Sequence, residues 1–243
     1  MSAVAKAINK ALEKSRKLLL REDSSFLMKE DYKALRTNIS FSFPERGPKC
    51  IAVTSAMRSE GKSTNAINLA ISFAELGKKV LLIDCDLRLP IIGARLGVDT
   101  KLGLSDLLVG ECSGGEVIKY SEEWGIFVIC SGTIPADPTR LLSSPNMGEV
   151  IEVLKSTFDY IIMDCPPTNM VIDAAILAPY VDGYLLVVKH GETEYRDISE
   201  MLEQLKRADA NILGFVYANA PTDSNKRYSR KYGGRYYQYG RAK

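Results

Sequence analysis

The chain has 243 residues, of which 46% are hydrophobic and 26% are charged, a composition typical of one large or two small globular domains. This composition excludes wholesale disorder, and no apolar run approaches the roughly 20 residues of a membrane span. We therefore expect a cytoplasmic protein. A single histidine, and five cysteines without a CxxC pair, argue against a zinc site and against a disulfide framework.

Helical patterns come first along the chain. Two stretches, about residues 3–21 and 28–41, have helical spacing and are separated by the polar residues 22–25. Short runs that are apolar on both faces follow, as in strands buried within a parallel sheet. The predicted strands are Cys50–Thr54, Val80–Asp84, Ile126–Cys130, Tyr160–Asp164, Tyr184–Val188 and Leu213–Ala218.

Helix-length segments lie between these strands: Ser63–Leu76, Asn146–Thr157, Ile172–Ala178 and Glu194–Ala208. The proline-rich segment Thr133–Pro145 is predicted to be a loop or a short irregular element. Strands that alternate with helices predict an α/β fold with a doubly wound, mostly parallel sheet. We expect three regions: an N-terminal helical segment (1–45), the α/β domain (46–221) and a tail (222–243).

The tail differs in composition from the rest of the chain. It contains seven basic side chains against Asp223 alone, so its net charge is +6, whereas residues 1–221 carry −4. It lacks Leu, Ile, Val, Phe and Met, which predicts a flexible segment without a packed core. Five of the twelve tyrosines of the chain lie in it: Tyr228, Tyr232, Tyr236, Tyr237 and Tyr239.

A phosphate-binding motif follows the first predicted strand. The segment AMRSEGKST, residues 56–64, leads directly into a helix. Such a loop binds phosphate through backbone N–H groups, places a lysine on the β- and γ-phosphates and uses a hydroxyl for Mg²⁺. Ala56 departs from the usual first glycine. The predicted nucleotide-binding residues of this loop are Ser59, Glu60, Gly61, Lys62, Ser63 and Thr64.

Carboxylates close two further predicted strands. Asp84 and Asp86 end the second strand, and Asp164 ends the fourth. In open α/β sheets ligands bind outside the carboxyl ends of the strands. We expect Asp164 to hold Mg²⁺ together with Ser63. Asn219, after the last strand, is either an adenine-recognising amide or a turn residue before Pro221.

The order AMRSEGKST, LLIDCDLR, IIMDCPP and a tyrosine-rich tail resembles the bacterial tyrosine kinases (BY-kinases) of capsule and exopolysaccharide biosynthesis. It resembles the separate kinase subunit of Gram-positive bacteria over roughly residues 28–243. The resemblance implies a P-loop NTPase fold, ATP and Mg²⁺ as cofactors, and autophosphorylation of the five tail tyrosines between subunits. It implies Walker A, A′ and B motifs that contain Lys62, the acidic pair Asp84 and Asp86, and Asp164, which we predict to be the catalytic residues. Among these, we expect Asp84 to orient or deprotonate the acceptor tyrosine and Asp86 to assist at the metal.

The resemblance also implies partners. Glu30, Lys33 and Arg36 match an oligomerisation helix with an ExxRxxR pattern, in which Lys33 replaces the first arginine. Lysine keeps the charge but loses the bidentate geometry of arginine. The family implies a ring-shaped homo-oligomer when unphosphorylated, and protein tyrosine substrates. It further implies a transmembrane activator or polysaccharide co-polymerase subunit that holds the kinase at the inner face of the membrane.

Two alternatives remain at this point. A partition or septum-placing switch ATPase shares the fold, but those proteins carry a signature lysine five residues before the motif lysine, where this chain has Met57. A tail that binds nucleic acid through basic residues and stacked tyrosines fits the composition as well. It would leave the phosphate-binding loop without a role, so we expect no nucleic acid partner.

Overall fold

The computed structural model describes the backbone of residues 3–221 and the side chains of residues 10–221. The predicted tail, with its five candidate phosphorylation sites, lies outside the described residues. A seven-stranded sheet forms the centre of the described part. Its strands are Lys49–Ser55 (β1), Val80–Asp84 (β2), Lys119–Ser121 (β3), Ile126–Ile129 (β4), Tyr160–Asp164 (β5), Gly183–Lys189 (β6) and Ile212–Ala218 (β7).

The strand order is β3-β4-β2-β5-β1-β6-β7, and β3 alone among these seven strands is antiparallel to its neighbour. Strand β5 lies between β1 and β2, and the β2–β5 register sets Asp84 opposite Asp164. The loop after β1 and the two acidic strand ends therefore meet at one edge of the sheet. This confirms the predicted α/β class with a mostly parallel sheet.

The described residues form ten α-helices and one 3-10 turn, with two helices before the first strand and the other elements between strands. Their bounds are Ala3–Arg16 (α1), Phe26–Phe41 (α2), Lys62–Ala74 (α3), Ile92–Leu96 (α4), Leu104–Val109 (α5), Gly114–Val117 (α6), Pro138–Leu142 (α7), Pro145–Lys155 (α8), Asp173–Ile176 (α9) and Tyr195–Arg207 (α10), with the 3-10 turn at Ala178–Tyr180. Within the described residues, none of these helices is long and apolar enough to cross a membrane.

Apolar side chains cover both faces of the sheet. On one face, residues of α5, α7, α8 and α10 pack with inward-facing residues such as Ile161 and Leu186. On the other face, residues of α2, α3 and α4 pack with Ile162 and Val187. Alternate residues of β5 and β6 thus enter opposite cores, which explains why the central positions of these strands are apolar without alternation. The sheet is doubly wound, as predicted.

The N-terminal segment packs on α3. Leu19 and Leu20, between α1 and α2, are each 1% exposed, and Ile39 of α2 is buried in the same cluster. The side-chain amide of Asn68 accepts a hydrogen bond from the Leu20 N–H at 2.8 Å and donates to the Leu18 carbonyl at 3.0 Å. The segment is therefore seated on the helix that follows the phosphate-binding loop. A separate domain over residues 1–45 stays a prediction.

Two local predictions are wrong, and one strand was not predicted. Residues 133–145 are not all irregular: Asp137 caps α7 by accepting the Arg140 N–H at 3.0 Å, and Pro138 suits the first turn of this helix. The first helix ends at Arg16 rather than near residue 21, because Leu19 and Leu20 turn into the core. Strand β3 was not predicted, since a strand of three residues is too short to give a periodic signal.

Candidate active site

The phosphate-binding loop runs from β1 to α3. Its backbone takes left-handed conformations at Ser59 (φ 64°) and Gly61 (φ 101°). At Gly61 this conformation disfavours any side chain, and a Cβ there would lie 3.4 Å from the Asn65 amide nitrogen. Helix α3 begins at Lys62 without a side-chain cap. Its first N–H groups are therefore free of capping side chains and suited to an anion.

The Glu60 side chain does not face the phosphate position. It is buried, accepts the Met57 N–H at 2.8 Å and accepts the Thr193 hydroxyl. The Lys189 ammonium donates to the Ser59 carbonyl at 3.1 Å. The Glu60 contacts stabilise the loop conformation from within the loop, and the Lys189 contact stabilises it from β6. Glu60 contributes to the site through the loop conformation and its backbone rather than through its carboxylate.

Lys62 is held between two carboxylates. Its Nζ lies 3.0 Å from Asp86 Oδ2 and 3.9 Å from Asp164 Oδ1, and 3.4 Å from the Ser63 hydroxyl. Burial opposes the charge, but the carboxylates of Asp164 and Asp86 outweigh it and raise the pKa of Lys62. The lysine is therefore a fixed cation at the mouth of the loop, where the terminal phosphates of a nucleotide would lie.

Asp164 provides the evidence for a cation site. The residue is 0% exposed, and neither carboxylate oxygen has a hydrogen-bond partner among the described residues. Burial raises the pKa of Asp164, although the Lys62 ammonium opposes the rise. A buried carboxylate without a hydrogen-bond donor is costly, and the Lys62 ammonium at 3.9 Å compensates this cost only in part, since the pKa of Asp164 is still raised. Asp164 and the Ser63 hydroxyl therefore fit a magnesium ion.

Protein side chains alone do not form a complete metal cage here. Among the described residues no group of three or more His, Cys, Asp or Glu side chains is arranged to hold a metal ion. Magnesium in nucleotide-binding sites takes one or two protein ligands and completes its shell with water and phosphate oxygens. The site therefore matches a metal that binds together with a nucleotide.

Asp84 and Asp86 are both buried but differ in their position relative to the cleft and in their partners. Asp86 faces the cleft and pairs with Lys62, whereas Asp84 is 1% exposed and its Oδ2 accepts the N–H groups of Ile91 and Ile92 at 3.1 and 3.0 Å. Burial raises the pKa of Asp84 to about 8, and the neighbouring Asp164 adds to the rise. The pKa of Asp84 therefore lies near neutral pH, but its side chain does not line the cleft.

The cleft above the loop has a volume of about 630 Å³. Three arginines that sequence reasoning did not select line it: Arg58, Arg88 and Arg95. Arg88 donates to both oxygens of the buried Asp173, at 2.7 and 3.1 Å, and to the Thr139 hydroxyl at 2.9 Å. Arg88 stands within the LLIDCDLR motif, so a local signal existed for it. Arg95 lies outside any motif.

Asn219 follows β7 at the other side of the loop. It is exposed, with φ 56°, and the preceding Ala218 has its Cβ 3.8 Å from the position that a Cβ on Gly61 would occupy. The chain end of β7 thus approaches the phosphate-binding loop. The left-handed conformation suits a turn, and adenine recognition by Asn219 stays a prediction.

The three predicted oligomerisation residues have different environments. Glu30 and Lys33 pair with each other at 2.7 Å on a partly exposed face of α2. The Arg36 guanidinium is buried against α3, where Nη1 contacts the Ser72 carbonyl and lies 3.5 Å from Glu75 Oε2. Arg36 thus has partners within its own chain. A role of these residues in assembly stays a prediction.

Known proteins are similar to this chain in sequence and in fold. A protein family described as AAA domain matches residues 48–213. Tyrosine-protein kinase YwqD of Bacillus subtilis (strain 168) is 37% identical over 208 residues, which cover 86% of this chain and 88% of that protein. The solved kinase domain of Escherichia coli tyrosine kinase ETK has a TM-score of 0.75 at 32% identity and covers 80% of this chain and 78% of that chain.

The septum-placing ATPases are similar to a lesser degree. The septum site-determining protein MinD from Pyrococcus horikoshii OT3, solved in complex with Mg-ADP, has a TM-score of 0.59 at 26% identity and covers 74% of this chain and 76% of that chain. The chain is thus more similar to the kinases than to MinD, both in fold and in sequence. This agrees with the Walker motifs and with Met57, which stands where the septum-placing ATPases have a signature lysine. The chain belongs to the family of bacterial protein-tyrosine kinases.

Proposed function

We propose that this kinase uses ATP and Mg²⁺ to phosphorylate tyrosines of its own C-terminal tail in a neighbouring subunit. The observation that carries the proposal is the position of Lys62 between Asp86 and Asp164, with the two Asp164 oxygens free of donors among the described residues. A cation and an unsatisfied carboxylate then flank the place where the transferred phosphoryl group must lie. The proposed acceptors are Tyr228, Tyr232, Tyr236, Tyr237 and Tyr239.

The transfer forms a bond between the tyrosine oxygen and the γ-phosphorus and breaks the bond from that phosphorus to the β,γ-bridging oxygen, so that ADP leaves. The loop N–H groups and Lys62 hold the phosphates and neutralise charge that develops during transfer. Magnesium, when bound at Ser63 and Asp164 with the assistance of Asp86, supplies further neutralisation of the phosphate oxygens. Most of the catalysis is therefore positioning and electrostatics.

The tyrosine proton needs an acceptor. We propose Asp84 for this role, because its raised pKa suits a group that takes a proton near neutral pH. Its Oδ2 is engaged by the Ile91 and Ile92 amides, and its Oδ1 accepts only a 3.3 Å contact from the Asp86 N–H. Oδ1 is thus the atom of Asp84 that we assign to orient or deprotonate the hydroxyl.

We further propose that the kinase regulates the synthesis and export of capsular or extracellular polysaccharide, at the inner face of the membrane and through a transmembrane activator or co-polymerase subunit. The support is the resemblance to BY-kinases of the separate-subunit type. The unphosphorylated protein is proposed to form a ring through Glu30, Lys33 and Arg36. Other proteins with accessible tyrosines are proposed as further substrates.

The experiment compares phosphotyrosine on the purified chain after incubation with ATP and Mg²⁺. Lys62→Met removes the cation from the phosphates and should lower the signal by orders of magnitude. Lys78→Met is the matched control, because Lys78 is exposed beyond the end of α3 and its loss removes the same charge. Equal signals from the wild type and Lys62→Met, or equal losses in both variants, would refute the assigned site.

A further inference from the structure

Arg95 is a buried cation beside the phosphate-binding loop. It lies in α4 and is 4% exposed, and it lines the cleft. Its Nη1 donates to the Thr64 hydroxyl at 2.9 Å, and its Nη2 donates to the Ser15 carbonyl at 3.1 Å. Its Nε is buried and has no hydrogen-bond partner among the described residues. One guanidinium therefore joins the loop helix α3 to the end of α1.

The charge of Arg95 lacks a direct counterion. Among the side chains of residues 10–221, no carboxylate lies within 4.0 Å of its nitrogens. Burial lowers the pKa of Arg95, and Asp164 opposes this only from a distance. A buried and unpaired charge is costly unless an anion is supplied. Thr64 is the third residue of α3, next to Ser63, so a phosphate bound at this helix end would be such an anion.

The other partner of Arg95 belongs to the N-terminal segment. Ser15 lies in the last turn of α1, where helix carbonyls carry partial negative charge. Three residues further, the chain is fixed to α3 by the two hydrogen bonds between Asn68 and Leu18 and Leu20. Arg16 and Arg21 also reach Glu123, at 2.7 and 3.1 Å. Arg95 thus contacts the end of α1 and also lines the phosphate cleft.

We propose that Arg95 couples nucleotide binding to the docking of residues 10–20. The bound phosphates supply the anion that Arg95 lacks, and this fixes the guanidinium in the position from which it also holds the Ser15 carbonyl. A docked segment in turn keeps Arg95 buried, oriented on Thr64 and close to the phosphates. Such coupling is reciprocal, so nucleotide stabilises the docked segment by the same factor by which the segment increases nucleotide affinity.

This inference rests on the proposed nucleotide site, and the test separates the two. A fluorescent ADP analogue with Mg²⁺ reports affinity without phosphorylation, and hydrogen exchange of residues 10–20 reports docking. In the full-length wild type we expect ADP and Mg²⁺ to slow exchange of this segment about tenfold. Arg95→Gln keeps side-chain donors but loses the charge. We expect about tenfold weaker ADP binding in this variant, and exchange that no longer responds to ADP.

Arg88→Gln is the matched control, because Arg88 lines the same cleft but contacts Asp173 and Thr139 rather than the N-terminal segment. In Arg88→Gln, hydrogen exchange of residues 10–20 should still slow when ADP binds, even if the affinity of this variant for ADP changes. Arg95→Lys, which keeps the charge, should retain part of the response. A wild type that does not bind ADP refutes the proposed function. A wild type that binds ADP without slower exchange of residues 10–20, or a full response in Arg95→Gln, overturns the coupling.

Discussion

Replacement of Asp84 by asparagine removes one of two buried carboxylates that lie opposite each other on β2 and β5. Both are at most 1% exposed, and Asp86 lies nearby. Lys62 is the cation that reaches this cluster, and it pairs most closely with Asp86. The nucleotide-free site thus concentrates negative charge for a ligand. We predict that Asp84→Asn abolishes kinase activity but stabilises the nucleotide-free fold.

The magnitude follows from the pKa of Asp84, which is about 8 in the folded chain against an ordinary 3.8. Because the folded pKa is raised, the folded state binds the extra proton, and stability falls as pH rises from about 4 to about 8. The free energy of unfolding lost through the raised pKa of Asp84 reaches about 2 kcal/mol at pH 5 and about 4 kcal/mol at pH 7. Asparagine avoids it, but its amide nitrogen then faces the Asp86 N–H, which costs about 1–2 kcal/mol.

The net gain in the free energy of unfolding from Asp84→Asn is therefore close to zero at pH 5 and about 2–3 kcal/mol at pH 7. For a domain of this size that gain corresponds to a rise in Tm of about 5–10 °C. The assay is thermal unfolding with EDTA and without nucleotide, at pH 5, 7 and 8. Asp23→Asn is the control, because Asp23 is exposed and does not line the cleft above the loop. An Asp84→Asn protein with unchanged or lower Tm at pH 8, or with the same gain at pH 5, would refute the reasoning.

Three further predictions concern the metal and the tail. Asp164→Asn should weaken Mg²⁺-dependent nucleotide binding, whereas Asp84→Asn should spare it; titration calorimetry checks this, and equal losses would contradict the separate roles. Phenylalanine at all five tail tyrosines should abolish self-phosphorylation but leave an added tyrosine substrate phosphorylated; phosphate found mainly on Tyr120 or Tyr180 by mass spectrometry would argue against this. Complete tail phosphorylation adds roughly −7.5 to −10 to a tail of +6, so the oligomer should dissociate; an unchanged mass by light scattering would exclude the tail as the switch.

Local sequence patterns predicted most of the fold because the central strands are buried on both faces. Strands β1, β2, β4, β5 and β6 have such apolar runs, whereas β7 was found from an apolar run although this edge strand is partly exposed. The loop–helix motif after β1 identified the phosphate site. Strand β3 escaped prediction, because an edge strand of three residues needs only its pairing with β4. The capped turn at Asp137 was masked by the surrounding prolines, which also suit irregular structure.

Only those site residues that stand in short sequence motifs could be predicted. Lys62, Ser63, Asp84, Asp86 and Asp164 stand in short motifs at strand ends, so their proximity followed from parallel topology. The buried environment of Arg95 did not follow, because its partners Thr64 and Ser15 are 31 and 80 residues away along the chain. The Glu60 carboxylate likewise contacts Thr193, a partner 133 residues away. Such long-range polar contacts leave no periodic trace in a single sequence.

The central claim is that the Lys62 site of one subunit phosphorylates the tail of another. Two chains that cannot label themselves test it directly when mixed with ATP labelled at the γ-phosphate and Mg²⁺. One is Lys62→Met with an intact tail, and the other has an intact site but phenylalanine at the five tail tyrosines. We predict that label appears on the Lys62→Met chain in the mixture, on its tail tyrosines, and on neither chain alone. A mixture that leaves the Lys62→Met chain unlabelled, while wild-type protein becomes labelled, would contradict transfer between subunits.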